Sequence, residues 1–337
     1  MKVGLVPKSR RALVSVAAAG LCAALLVSPA GASPRAAVQA ATVVTVLSTT
    51  TYGSVLVMGG GAGNQLAGYP IYEFSGDADG RFACGRTTEL GFDPGSNHDI
   101  LLTCSGPMSD IIGNGYTDDW PALTTTGAPV AGPGVNRKLL GSVYRRGIGR
   151  QVTYGGHLLY LFDDASRPFV PQGERYMETV KPFPPWHGFW FLVSSEAGQP
   201  APGPATIATE TLPDGKTAVA VEMESNVRPM AVTVYSYSKD RSGTSACSGA
   251  CAVKWVPVLA TGRPHVAGDI SAKDVGVVRR SDGTDQVTYE GKPLYLYSAE
   301  KAVFPVAGGP PRTIGTFGNG NGLAGSGGGK FSIIYSR

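Results

Sequence analysis

The chain has 337 residues, with 29 lysines and arginines against 25 acids and a formal charge of +4. The excess is carried by Lys2, Lys8, Arg10 and Arg11, all ahead of the first acid at Glu73, so the remainder is balanced at 25 against 25 and offers no field for a phosphate backbone. Forty-seven glycines and 25 prolines exclude a helix bundle or coiled coil, and an apolar share of 42% excludes wholesale disorder; short strands with many turns are expected.

In chain order, residues 1–32 read as a secretion signal. A basic start is followed by the apolar run Ala12–Val27 and by Ala30-Gly31-Ala32, with cleavage expected after Ala32. The run is too short to span a membrane, which needs about 20 residues, and no other segment of the sequence could do so. Arg10-Arg11 leaves a twin-arginine route open, although an ordinary signal that happens to hold two arginines is favoured. Cys22 lies inside the apolar run, preceded by Leu21, which is not the setting of a lipid-attachment cysteine; it is read as discarded with the signal. Four cysteines then remain in an exported chain, Cys84, Cys104, Cys247 and Cys251, which suggests two disulfides.

After a flexible N-terminal segment, 33–51, the chain repeats itself. Trp120–Phe162 aligns without a gap on Trp255–Tyr297, and 16 of the 43 positions are identical, among them Trp120/Trp255, Arg145/Arg280 and Gln151-Val152-Thr153-Tyr154 against Gln286-Val287-Thr288-Tyr289. A repeat this long indicates a duplicated domain rather than a solenoid. The expected fold is therefore all-β, two tandem homologous domains built from paired hairpins. The first covers 52–198, with an insertion at about 82–119; a proline-rich linker covers 199–206; the second covers 207–337.

A shorter unit recurs inside each copy. Tyr72-x-Phe74-x-x-Asp77, Tyr235-x-Tyr237-x-x-Asp240 and Tyr295-x-Tyr297-x-x-Glu300 share one form, and Tyr160-x-Phe162 keeps the aromatics with its acids one residue early at Asp163-Asp164. Each unit reads as part of a hairpin, with Gly155-Gly156 and Glu290-Gly291-Lys292-Pro293 as turns. Within a strand the two aromatics share a face because side chains alternate with period two. A motif present four times suits a packing unit better than a single ligand site, so the tyrosines are expected to be buried, with the acid past the strand end accepting bonds from a turn. Trp186–Trp190 and Phe331–Tyr335 are expected as matching closing strands, and the glycine-rich 308–329 as a mobile loop. Within-copy disulfides, Cys84–Cys104 and Cys247–Cys251, are favoured over the two pairings that would tie the copies together.

At these residues the sequence resembles a bacterial secreted-repeat family marked by a Tyr-x-(Phe/Trp/Tyr)-x-x-Asp motif. Cys247-x-x-x-Cys251-Ala252-x-x-Trp255 followed by Pro257, and the Gln-Val-Thr-Tyr hairpin of both copies, carry the likeness, which is closer in the second copy. The resemblance implies export and architecture; the family is one of unknown function, so it implies no activity, and the missing lipid-attachment cysteine departs from its many predicted lipoproteins.

No catalytic constellation is legible. His98, His157, His187 and His265 are scattered, with no nucleophile motif around them. Asp77-Ala78-Asp79-Gly80 looks like a calcium loop but fails at Arg81 and Thr88. The expected function is that of an exported non-enzymatic binding or scaffolding module for an envelope or extracellular ligand, with no cofactor, no metal and no nucleic-acid partner. A copper-handling or thiol-redox role for Cys247 and Cys251, with His265 available, is the alternative, and an unrecognised hydrolase the third reading.

Overall fold

The computed structural model describes residues 41–60, 64–77, 82–84, 88–93, 98–103, 120–162, 168–178, 188–196, 198–224, 230–300, 302–303, 315–316 and 318–336. The expected secretion signal with Cys22 lies outside the described residues, as do Cys104, Asp163, Asp164 and His187. The architecture is nearly all β, as the composition implies; among the described residues Ala250–Lys254 (α1) is the helical element.

Strand pairing recurs from one copy to the other. β1 (Val43–Thr49) pairs antiparallel with β2 (Gly53–Met58) and parallel with β6 (Val130–Ala131). β12 (Thr206–Thr211) pairs in the same two ways with β13 (Thr217–Met223) and β17 (His265–Val266). The offset is 163 for the first strand (206 − 43) and 135 for the last (265 − 130), and the difference of 28 is the insertion in the first copy. Within that insertion β4 (Thr88–Asp93) and β5 (His98–Thr103) form an antiparallel pair. β14 (Met230–Thr233) extends the second copy's sheet beside β13.

The expected hairpins follow. β7 (Leu140–Arg145), β8 (Gly149–Tyr154) and β9 (His157–Leu158) match β18 (Val275–Arg279), β19 (Asp285–Tyr289) and β20 (Lys292–Pro293). The tight turns are Gly155-Gly156, with φ of 59° and 92°, and Glu290-Gly291, with φ of 48° and 76°. Positive φ at both central residues is the two-residue hairpin geometry that agrees with strand twist; Lys292-Pro293 is therefore strand, not turn.

The motif strands form the centre of a second kind of sheet. In the second copy its order is β16 (Trp255–Pro257), β21 (Tyr295–Tyr297), β15 (Tyr235–Tyr237), β24 (Phe331–Ile333). Tyr235 pairs directly with Tyr295, and Tyr237 with Phe331. In the first copy Tyr160 bridges both Tyr72 and Ala122, and β3 (Tyr72–Phe74) pairs with β11 (Gly188–Leu192), which carries β10 (Tyr176–Glu178) on its far side. β11 and β24 are the closing strands the tail sequences suggested. β22 (Ala302–Val303) and β23 (Gly315–Thr316) form a separate short pair.

Three sequence expectations change. The segment 33–51, expected to be flexible, contains β1: alternating Val44, Val46 and Ser48 pair across to β2, and Val44 is fully buried. The proline-rich stretch 199–206 is not a free spacer. Pro200 bridges Val193, Ala201 donates to the Leu192 carbonyl at 2.7 Å, and Ala205 is buried. Of the glycine-rich 308–329, residues 318–329 pack on the aromatic sheet, because chain without Cβ atoms can lie flat against ring faces.

From residue 40 onward the chain is one compact unit. One hydrophobic cluster joins Met177, Phe189 and Phe191 of the first copy to Ile207, Val219, Val221, Val256 and Leu296 of the second. Each such side chain stabilises by about 1.5–3 kcal/mol when fully buried, so a shared core joins the copies beside the clusters that lie within each.

Candidate functional site

The motif residues assemble a six-ring stack in each copy. Trp120 lies flat on Trp190, with centroids 3.9 Å apart and planes at 7°, as Trp255 lies on Phe331 at 3.8 Å and 7°. Tyr72 meets Trp120 edge-on at 5.5 Å, as Tyr235 meets Trp255 at 5.3 Å. Phe162 and Tyr297 cover the outer faces of the two tryptophans, Phe74 and Tyr237 stack on Trp190 and Phe331, and Tyr160 and Tyr295 meet those same rings edge-on. Tyr72, Tyr160, Tyr235 and Tyr295 are fully buried. Offset and edge-to-face pairs add about 0.5–1.5 kcal/mol each beyond the area they bury.

The acids tie the motif strands crosswise. In the second copy the Tyr235 hydroxyl donates to Glu300 Oε2, at the end of the other motif, and the Tyr295 hydroxyl donates to Asp240 Oδ1 at 3.1 Å. Loop N–H groups reach the same carboxylates, Asn319 to Glu300 at 2.8 Å and Ala246 to Asp240 at 2.7 Å. In the first copy the Tyr160 hydroxyl donates to Asp77 Oδ2, and Cys84 N–H to Asp77 Oδ1 at 3.1 Å. Among the described residues no acid takes this role for Tyr72; its hydroxyl accepts from Gly173 N–H at 3.1 Å, as that of Tyr235 accepts from Gly320 N–H at 3.0 Å. Burial pushes the Tyr72, Tyr160, Tyr235 and Tyr295 hydroxyls up, so all four remain donors.

Arg145 and Arg280, identical across the repeat, brace this arrangement. Arg145 donates to Gln151 at 2.6 Å, to the Tyr160 hydroxyl at 3.0 Å and to the Cys84 carbonyl at 2.6 Å. Arg280 donates to Gln286 at 2.8 Å and the Cys247 carbonyl at 3.0 Å. Gln151 and Gln286 pass the chain on to the Leu159 and Leu294 carbonyls, each at 2.7 Å. A buried guanidinium this fully bonded acts as a fastener for the loop that carries the cysteine.

Gly320 shows how close the packing is: a Cβ there would stand 2.7 Å from Trp255 Cη2. Gly320→Ala is expected to destabilise by about 1–3 kcal/mol through overpacking. A denaturant melt of the protein checks it, and an unchanged midpoint would mean that the loop is not held against the ring.

Cys247 and Cys251 are bonded to each other, as expected. Both sulfurs that a copper or thiol-redox role needs are thereby occupied. Cys84 is also in a disulfide, and its expected partner, Cys104, lies outside the described residues. His265 is on β17, apart from the cysteine cluster. Among the described residues no group of three His, Cys, Asp or Glu is placed to hold a metal ion.

The copies differ at one cavity, of about 640 Å³, at the junction between them; Tyr52, Gln172, Glu174, Arg175, Glu222 and Glu224 are among its lining residues. Gly173-Glu174-Arg175 occupies the place that Gly320-Asn321-Gly322 occupies in the second copy. Asn321 accepts the Ile333 N–H at 3.2 Å, and Glu174 Oε2 accepts the equivalent Leu192 N–H at 2.7 Å. Gly322 has φ 77°, and Arg175 has φ 56°. A left-handed turn costs glycine little, but costs a residue with a Cβ about 1 kcal/mol or more.

The substitution also buries charge. Arg175 Nη2 donates across the junction to the Gly203 carbonyl at 2.9 Å and the Leu259 carbonyl at 2.6 Å, while Nε and Nη1 have no partner among the described residues. Glu174 Oε1 has none either. Burial pushes the Glu174 carboxyl up to about 8, against the opposing pull of the Arg175 charge, and lowers Arg175. Unpaired buried polar groups cost about 1–3 kcal/mol each.

A second difference lies in a cleft of about 130 Å³ between the copies. Glu73, on β3, is buried with Oε2 3.4 Å from His157 Nδ1. The second copy has Ser236 and Lys292 at these places. Burial pushes Glu73 up to about 7, with His157 pulling it back.

None of Glu73, Glu174 and Arg175 was singled out as a site residue in the sequence. The signal that could have found Glu174 and Arg175 is the break in the repeat at Asn321-Gly322, masked by unequal loops: 11 residues separate Phe162 from Gly173, and 23 separate Tyr297 from Gly320.

An all-β chain with an internal repeat, two ring-stacked sheets and a cavity at the junction of the copies is the class of protein that fold and site define. Residues 276–303, which run from β18 through the second motif of the second copy, match the family described as a secreted repeat of unknown function. No curated protein and no solved structure matches the chain. Among the described residues no helix is long and apolar enough to cross a membrane.

Proposed function

We propose that this chain is an exported, non-enzymatic binding module, cleaved near Ala32, in which the duplicated aromatic sheets are scaffold and the junction cavity is the seat for an extracellular or envelope ligand. One contrast carries this reading. The buried motif tyrosine hydroxyls and acids bond one another and nearby loop N–H groups, and only Asp240 Oδ2 and the Trp190 and Trp255 Nε1 atoms are buried without a partner among the described motif and ring-stack residues. Where the second copy has the neutral, unstrained Asn321-Gly322, the first keeps Glu174-Arg175, with unpaired buried atoms and a left-handed arginine. Local rules broken at a cavity, and kept at the equivalent place elsewhere, are the mark of a functional rather than a structural residue. A cavity of this size is in the range of small-molecule sites.

The test is a thermal-shift screen of soluble glycans and small polar molecules on the mature protein, repeated on Arg175→Gly, which installs the second copy's residue. At least one compound is expected to raise the melting temperature of the native chain and not that of the variant. A compound that shifts both equally binds elsewhere, and a compound consumed during incubation would make the protein an enzyme; either result sinks the reading.

A further inference from the structure

The lining of the junction cavity defines what it can hold, provided that it is the binding seat just described. Its lining includes Glu174 and Arg175, whose unpaired atoms are buried. Arg175 Nε and Nη1 are unpaired, and Glu174, with Oε2 occupied by the Leu192 N–H, has Oε1 free. With its carboxyl pushed up to about 8 by burial, Glu174 keeps its proton near neutral pH, and Oε1–H is then a third donor. Three donor atoms, two of them on the cationic guanidinium, call for an acceptor with negative charge, such as a carboxylate.

The rim has the opposite character. Glu222 and Glu224 line the same cavity from β13 and the bridge after it, and both are exposed. Glu224 is raised first by burial and next by the charge of Glu222, so the two carboxylates repel each other. Glu224 is anchored opposite Arg175: its N–H donates to the Arg175 carbonyl at 3.0 Å, and its carbonyl accepts from Met177 N–H at 3.1 Å. Acid at the mouth repels a phosphate or other polyanion on approach and favours a cation there. Among the described residues no group of three metal ligands is formed, so an organic cation suits the rim better than a metal ion.

We propose that the junction cavity binds a small zwitterion, its carboxylate seated on Arg175 and Glu174 and its ammonium group held between Glu222 and Glu224. The Tyr52 ring, also in the lining, offers an apolar wall for the carbon chain between the two charges. Amino acids and short peptide ends are molecules of this class. Neutral polyols would use the donors but leave the rim repulsion in place, and simple anions would meet that repulsion without relieving it.

The experiment is calorimetric titration of the mature protein with ω-amino acids from glycine to 8-aminooctanoate, beside acetate, methylammonium and glucose at equal ionic strength. One chain length is expected to bind at least tenfold more tightly than acetate or methylammonium. Glu222→Gln and Glu224→Gln, both at exposed positions, are expected to lose tenfold or more of that affinity while melting as the native chain does. Arg175→Lys, checked for folding by circular dichroism, is expected to lose it as well. Acetate binding as tightly as every amino acid would make this an anion site and overturn the zwitterion. Glucose binding in preference to the whole series would overturn it in favour of a polyol. In both of those cases the cavity remains the binding seat; if no probe binds, the seat itself fails.

Discussion

Replacing Tyr235 by alanine is expected to cost about 3–5 kcal/mol, the range for large aromatic truncations in cores, and to lower the melting temperature by on the order of 10 °C. Two losses add. The ring is fully buried and meets Trp255 edge-on. Its hydroxyl also serves Glu300, which is itself buried, so truncation strips an internal acid of a donor. Tyr235→Phe separates these terms: it keeps the ring and removes the hydroxyl, and should cost about 1.5–3 kcal/mol, the value of a hydrogen bond to a charged group. Denaturant melts of both variants measure the difference. If Tyr235→Ala melts with the native chain and instead loses binding to an extracellular ligand, the ring stack is a recognition surface and its role as scaffold is refuted.

The second large effect is on pH dependence. Burial pushes Glu73 up to about 7 and Glu174 to about 8 from an ordinary 4.5, and Asp77 to about 6 from 3.8. The folded chain therefore holds protons that the unfolded chain has already released between about pH 4 and pH 8. Stability must fall as pH rises through that window, by up to about 1.4 kcal/mol per pH unit for each group inside it. The melting temperature is expected to be highest near pH 5 and lower at pH 8. Glu73→Gln removes its own share: the variant should match the native chain near pH 5 and outlast it at pH 8. A native chain whose melting temperature is flat from pH 5 to pH 8, or a variant with an undiminished slope, would refute this account.

The hairpins were legible because their information is local. Gln151–Tyr154 and Gln286–Tyr289 are strand formers bounded by glycine turns, and the turn residues set the register of each pair. The motif tyrosines could be assigned to a buried face because four copies at equal places imply packing. Their partners were not legible. Tyr235 and Glu300 are 65 residues apart, and Tyr160 and Asp77 are 83 apart. The acid of one motif serves the tyrosine of the other, a crossing that exists only once the strands lie side by side.

By itself the sequence determined the strand-rich class, the duplication, the hairpin turns and the cysteine pair Cys247–Cys251. These follow from periodicity, turn chemistry and short spacing, which act over a few residues. Tertiary structure alone decided that the two copies share a core, that 43–49 is a sheet strand, and that 199–206 is packed rather than free. It also decided where charge is buried. Glu174 and Arg175 look like any surface pair in the sequence. They become part of a cavity lining because a short loop turns them in against Leu192, Gly203 and Leu259, contacts made 18, 28 and 84 residues away along the chain. Burial and unpaired donors are properties of the surroundings, and only the folded chain supplies surroundings drawn from so far apart.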